Sequence, residues 1–271
     1  MIAYLDTSAF DHLYKKIGCT AADIANLRKK IYGRELSIRP SMHILADILL
    51  DRRARPELLV ARIKLTLSLA SFRQMVKPCA QLITDDVRSY AARGTADRPY
   101  ITADLQNTIS DGISELIETD GEELDEDMVA AFEAERSQSL RLQELLSRKS
   151  AGEHHRSLDE YLDTELPRAL EACATNAGMI EACRNRGIDG LREVRSIRAT
   201  MCAVLSLEYE RGLDNRGANE DAVPDLRHVP CAAAVADTFV TNDKHLREAL
   251  SRVPLDKFEV VDLPDFLAMV R

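Results

Sequence analysis

Two short apolar runs, each closed by a polar turn carrying a carboxylate, frame the chain. Ile2-Ala3-Tyr4-Leu5 ends at Asp6, and Thr238-Phe239-Val240 ends in Thr241-Asn242-Asp243. Unbroken runs of this length, rich in apolar and strand-favouring residues, predict buried strands. After each run the spacing becomes helical. Phe10, Leu13, Tyr14 and Ile17 follow the first, opened by Thr7-Ser8, and Lys244 to Leu250 follows the second. A strand that ends in polar residues and passes into a helix delivers those residues to the carboxyl edge of a parallel sheet, where open α/β sheets build their sites.

The pattern between the two runs divides in two. Residues 21–32 predict a helix with Ile24, Leu27 and Ile31 on one face and Gly33 as its stop; residues 35–39 predict a short strand. Pro40-Ser41 opens a helix to about Leu50, with Ser41 as N-cap, Met42, Leu45 and Leu49 apolar, and Asp47 set among Ile44, Leu45, Ile48 and Leu49. From Pro56 the spacing is helical almost throughout, over 58–71, 79–92, 100–117, 127–149, 157–184 and 188–211, with no strand expected until about 215. The last part alternates: helix 225–235, strand 238–240, helix 244–250, strand 258–261, and a helix opened by Asp262-Leu263-Pro264. Alternation of this kind predicts an α/β fold with a parallel sheet. The expected division is a core from residues 1–55 and 215–271, with a mainly helical insertion over 56–214.

Composition narrows the class. The chain has 271 residues, 45% hydrophobic and 30% charged, enough for a sizeable core. Aromatic residues are 5% and tryptophan is absent, so stacking platforms for bases are scarce. No apolar run approaches a membrane span and no basic leader opens the chain, so neither membrane nor export is expected. Six cysteines without a C-x-x-C spacing predict reduced thiols and a cytoplasmic setting. The net charge of −9 is local: nine acidic residues and no basic one lie between Glu118 and Glu135, leaving the rest neutral. That excludes a generally basic nucleic-acid coat, and the acidic run is expected to be a solvated face.

The candidate chemistry is carboxylate chemistry. Asp6, Asp225 and Asp243 stand at element ends, and Asp47 lies inside a helix. Carboxylates gathered at one edge repel each other, and a hard divalent cation with oxygen ligands, Mg²⁺ or Mn²⁺, relieves the repulsion. A water on such a cation can attack phosphorus. No cysteine-histidine spacing suggests zinc, and no glycine-rich phosphate loop is present. Each residue also has a plainer reading. Asp6 and Asp243 could be helix caps, Asp225 could answer a helix dipole, Asp47 could face solvent, and His228 could be a packed histidine. Arg39, Arg52, Arg53, Arg55, Lys77, Arg227 and Lys244 are the candidate phosphate contacts.

Together these residues resemble the PIN-domain nucleases. The resemblance rests on Tyr4-Leu5-Asp6-Thr7-Ser8, on Asp225-Leu226-Arg227-His228, on the stretch from Asp237 to Lys244 that contains Thr241-Asn242-Asp243, and on the closing Asp262-Leu263-Pro264-Asp265-Phe266. It covers roughly residues 1–50 and 215–271. What it implies is a three-layer α/β/α sandwich, Mg²⁺ or Mn²⁺ bound by Asp6, Asp225 and Asp243, support from Thr7, Ser8, Thr241 and Asn242, and metal-dependent cleavage of RNA. Arg39, Arg227 and Lys244 would meet the substrate. Many bacterial members are toxins, which implies an antitoxin or other protein partner; a homodimer is a further expectation. The family usually carries a glutamate where this chain offers Asp47, with Asp85 and Asp86 as competitors for that place. A catalytically degenerate binding module is the first rival. A phosphatase of haloacid-dehalogenase type is the second, but it wants an aspartate at the position of Ser8.

Overall fold

Strand β1 (Ile2–Leu5) lies inside a small parallel sheet with β2 (Ser37–Ile38) on one side and β3 (Thr238–Val240) on the other. β4 (Glu259–Val261) follows β3, so the order is β2-β1-β3-β4 with every pair parallel. The register sets Ala3 beside Ile38 and Thr238, and Leu5 beside Val240. β3 is buried along its whole length, as its unbroken apolar pattern requires, whereas Glu259 of β4 is exposed at the sheet edge. The structure is a computed structural model that describes residues 1–50, 58–70, 74–121, 130, 133, 157–214 (backbone only for 210–214), 226–251 and 257–271.

Helices make up most of the rest. α1 (Thr7–Lys15) and α2 (Ala21–Tyr32) connect β1 to β2, and α3 (Met42–Leu50) leaves β2. The long segment that follows contains α4 (Leu59–Leu69), α5 (Cys79–Arg93), α6 (Ala103–Glu118), α7 (Leu158–Asn176), α8 (Ile180–Arg186), a 3-10 turn over Ile188–Glu193, and α9 (Arg195–Asp214). α10 (His228–Val235), α11 (Lys244–Ser251) and α12 (Leu263–Met269) complete the alternation with β3 and β4. The result is a mostly helical α/β chain around a four-stranded parallel sheet.

Several boundaries differ from the sequence pattern, each for a local reason. The helix expected over 157–184 breaks after Asn176, because Gly178 takes φ +69° and turns the chain before α8. Residues 188–193 wind as a 3-10 turn, so α9 starts at Arg195. The end of α2 is where the pattern put it, with Gly33 as its C-cap, but Gly33 has φ −70° and the left-handed residue is Arg34, at φ 61°. The hydroxyl of Ser41, expected at a cap, lies 2.6 Å from Tyr4 Oη. Ala70 bridges Ile38, and Val76 bridges both Ser41 and Tyr100, so short extended pairings occur where no strand was expected. Most of the helix expected over 127–149 lies outside the described residues.

Among the described residues, two apolar clusters form the core. The larger one packs Tyr4, Leu5, Phe239 and Val240 of the sheet against Leu13, Leu45 and Leu49, and it takes in Leu59 and Ile63 of α4 and Ile109 and Ile113 of α6. The smaller one is built from Val87, Tyr90, Leu170, Cys183, Leu191 and Ile197. Two helices contribute to both: α5 through Leu82 and Val87, and α9 through Ala199, Ala203 and Ile197. No helix among the described residues is long and apolar enough to cross a membrane. All six cysteines are free thiols.

Candidate functional site

Because β1 and β3 are adjacent and parallel, Asp6 and the Thr241–Asp243 turn leave the sheet at the same edge. The Asp6 amide still donates to Val240 O at 3.1 Å, so the carboxylate begins where the pairing ends. Asp6 is the N-cap of α1. Its Oδ1 accepts from the Ala9 amide at 2.8 Å and from Ser8 Oγ at 2.7 Å. The expectation that Thr7-Ser8 caps this helix is therefore corrected: Asp6 caps it, because its side chain is the one that reaches the free amides of the first turn.

Capping uses only half of the carboxylate. Asp6 is 0% exposed, and Oδ2 is buried without a hydrogen bond. Burial pushes its pKa up to about 6, hydrogen bonding from the Thr241 side chain, the Ala9 amide and Ser8 offsets part of the rise, and the Asp243 charge adds a little to it. Asp243 caps α11 in the same manner: Oδ1 accepts from the Leu246 amide at 3.0 Å, while the Asp243 amide donates to Thr241 Oγ1 at 3.1 Å. Ser8 Oγ also accepts from the Asn242 amide at 3.1 Å, and Asn242 Oδ1 accepts from the Leu263 amide at 3.3 Å. Ser8 thus ties the β1 turn to the β3 turn, and Asn242 ties both to the start of α12.

Asp47 has a different environment. It is 15% exposed on α3, and both oxygens are engaged. Oδ2 accepts from Thr7 Oγ1 at 2.5 Å, and Oδ1 accepts from Arg227 Nη2, whose side chain is 6% exposed. Burial alone would raise its pKa, but His228, Arg227 and Thr7 outweigh burial and hold the carboxyl well below its usual range. His228 Nε2 faces the same carboxylate at 3.6 Å, and Nδ1 lies 2.7 Å from Tyr4 Oη. Burial pushes His228 down to about 4, against the opposing pull of Asp47, so the ring is neutral near pH 7. With the proton assigned to Nε2 opposite the carboxylate, Nδ1 accepts from Tyr4, and Tyr4 accepts from Ser41.

The remaining candidates spread out. Asp85 and Asp86 belong to the helical segment: Lys77 Nζ sits 2.8 Å from both Asp85 and Asp97, and buried Asp86 accepts from Ser196 and from the Asp97 amide. Arg39 donates to Gln74 and lies over the Tyr100 ring at 6.0 Å. Lys244 is 74% exposed, with Glu248 at 3.6 Å. Asp225, Arg52, Arg53, Arg55 and most of the acidic run lie outside the described residues. Arg247 is a cation that the pattern did not single out. It donates to Thr241 O at 3.2 Å and pairs with Asp262 at 3.1 Å. Its spacing of four from Asp243 was the available signal.

A hard cation asks for carboxylate oxygens that are not already satisfied. The Oδ2 of Asp6, with Asp243 close enough to raise its pKa, meets that demand; Asp47 does not, since a guanidinium and a hydroxyl already occupy it. Among the described residues, no three His, Cys, Asp or Glu side chains gather into a group that could hold a metal ion. Compared with known proteins, the chain matches no family model, no curated protein and no solved structure.

Proposed function

We propose that the chain is a Mg²⁺- or Mn²⁺-dependent ribonuclease of PIN type, with an α/β/α sandwich core, acting in the cytoplasm on RNA phosphodiester bonds. The observation that carries this reading is the buried Oδ2 of Asp6, which the Ala9 and Ser8 donors leave unused, beside Asp243 at the carboxyl edge of a parallel sheet. Asp6 and Asp243 would hold the cation, with Asp225 as a third ligand. When bound, that cation supplies a water of lowered pKa and positive charge for the phosphate oxygens. The chain's own residues do the positioning. Ser8 and the Ala9 amide hold the Asp6 carboxylate in one orientation, leaving Oδ2 open. Ser8 and Thr241 fix the turn that presents Asp243. Lys244, exposed at the start of α11 next to Asp243, suits a phosphate contact. The full chain should cut a mixed pool of single-stranded and structured RNA in Mn²⁺ or Mg²⁺ but not in EDTA, and Asp6→Asn should lower the rate by about 100-fold or more. Cleavage that survives EDTA or Asp6→Asn would refute the reading.

The engagement of Asp47 by Arg227 favours one alternative, a PIN-like module that binds RNA or a protein partner, such as an antitoxin or a second copy of the chain, without cutting. It would retain RNA in EDTA and show no turnover with either metal.

A further inference from the structure

The acidic residues that look alike in the sequence fall into two kinds in the structure. Asp6 Oδ2 is buried and carries neither a cationic side chain nor the Ser8 and Ala9 donors, which sit on Oδ1. Asp47 carries a guanidinium on one oxygen and a hydroxyl on the other. We propose that Arg227 is the resident counter-ion of Asp47, that the pair stays out of the metal shell, and that the centre takes a single divalent cation with Asp6 and Asp243 among its ligands. This rests on the metal-centre reading above and narrows it.

The argument is one of competition for charge. Both members of the pair are largely buried, at 15% and 6% exposure. A divalent cation bound by Asp47 would displace the guanidinium and leave a buried arginine charge next to a buried dication. Removing one member of a buried pair leaves the other charge uncompensated, so the pair resists the exchange. The Thr7 bond at 2.5 Å adds to this, since it fixes Oδ2 toward the start of α1. His228 completes the enclosure: its Nε2 faces Oδ2 at 3.6 Å and its Nδ1 is tied to Tyr4 at 2.7 Å. Aspartate in place of a longer acid suits this role, because the carboxylate stops at Thr7 and Arg227 and has no further methylene to extend beyond them. Arg227 then acts inside the site as a fixed positive charge, not as a hand that reaches for substrate, and Asp47 is a positioning residue that acts through Thr7 and Arg227.

The test is Mn²⁺ binding to the full chain, followed by titration calorimetry and by melting in Mn²⁺ against EDTA. Wild type should bind one Mn²⁺. The double variant Asp47→Asn/Arg227→Met removes both charges and strands neither; its Mn²⁺ affinity should stay within about threefold of wild type, as for an independent site. Asp6→Asn should weaken binding by about tenfold or more. Arg227→Met alone leaves Asp47 without its counter-ion, so it should take up a second Mn²⁺ and gain more melting temperature from Mn²⁺ than wild type does. If the double variant loses Mn²⁺ as severely as Asp6→Asn, Asp47 is a metal ligand and the inference is wrong while the metal centre stands. No Mn²⁺ binding by folded wild type overturns both. Should Arg227→Met not fold, the double variant decides.

Discussion

At the scale of single residues, the candidate site contains two buried ionisable groups that push stability in opposite directions with pH. Asp6 has a folded pKa of about 6, above its ordinary value of 3.8. The folded state therefore holds its proton more tightly than the unfolded state, and the associated stability is present below about pH 4 and lost as pH rises through 6. His228 has a folded pKa of about 4, below its ordinary 6.5. Its buried neutral ring favours the folded state above pH 6.5 and loses that contribution as pH falls toward 4. In the wild type the two slopes oppose each other across the same window. Asp6→Asn removes one of them. The metal-free variant, compared with metal-free wild type at each pH, should grow relatively more stable from pH 4 to 7, by up to about 3 kcal/mol. Melting curves in EDTA across that range check it; a difference that stays constant with pH would show that the Asp6 carboxyl is not held protonated. Asp47 is shifted the other way, below its usual range, so its contribution is lost only in stronger acid and leaves this window clear.

At the scale of elements, the sequence was most informative where local pattern alone decides the structure. β1 and β3 follow from short unbroken apolar runs closed by polar turns, and α5 and α12 from clear openings at Pro78 and Asp262. Asp6 and Asp243 were legible as candidates for the same reason, since each ends a strand. The pairing of Asp47 with Arg227 was not legible: the two are 180 residues apart, and no local pattern announces a partner at that distance. Nor was the break between α7 and α8, because the helical spacing continues through Gly178 and only its positive φ reveals the turn. The 3-10 turn before α9 was missed because its cause is tertiary. Tyr90 of α5 packs across it and donates to Gly187 O at 2.6 Å, and a methyl group at Gly190 would fall inside the contact radius of the Tyr90 hydroxyl. Gly190→Ala should therefore cost about 1–3 kcal/mol through overpacking, measured by denaturant unfolding. A neutral result would mean that Tyr90 moves aside freely and does not hold the turn.

At the scale of the whole molecule, the question is whether the helical segment between β2 and β3 folds as its own unit. A separable insertion would keep its core to itself. Here α4 and α6 bury Leu59, Ile63, Ile109 and Ile113 with the sheet residues, and α5 and α9 each serve both clusters. On α9 the division follows helical geometry: Ala199, Ala203 and Leu207, spaced by four, join the larger cluster, while Ile197 and partly buried Met201 join the smaller. A helix shared in this way transmits the loss of one cluster to the other. Leu170, fully buried in the smaller cluster, offers the test. Leu170→Ala should destabilise the chain by about 2–5 kcal/mol. It should do so in one cooperative transition, with the sheet amides losing hydrogen-exchange protection together with those of α7 and α9. An early transition confined to α7 and α8, with the amides of β1 and β3 still protected, would instead mark the smaller cluster as an independent unit. In that case the edge that carries Asp6 and Asp243 would be insulated from whatever the helical segment binds; in the cooperative case, a ligand on the helical segment would also stabilise the site.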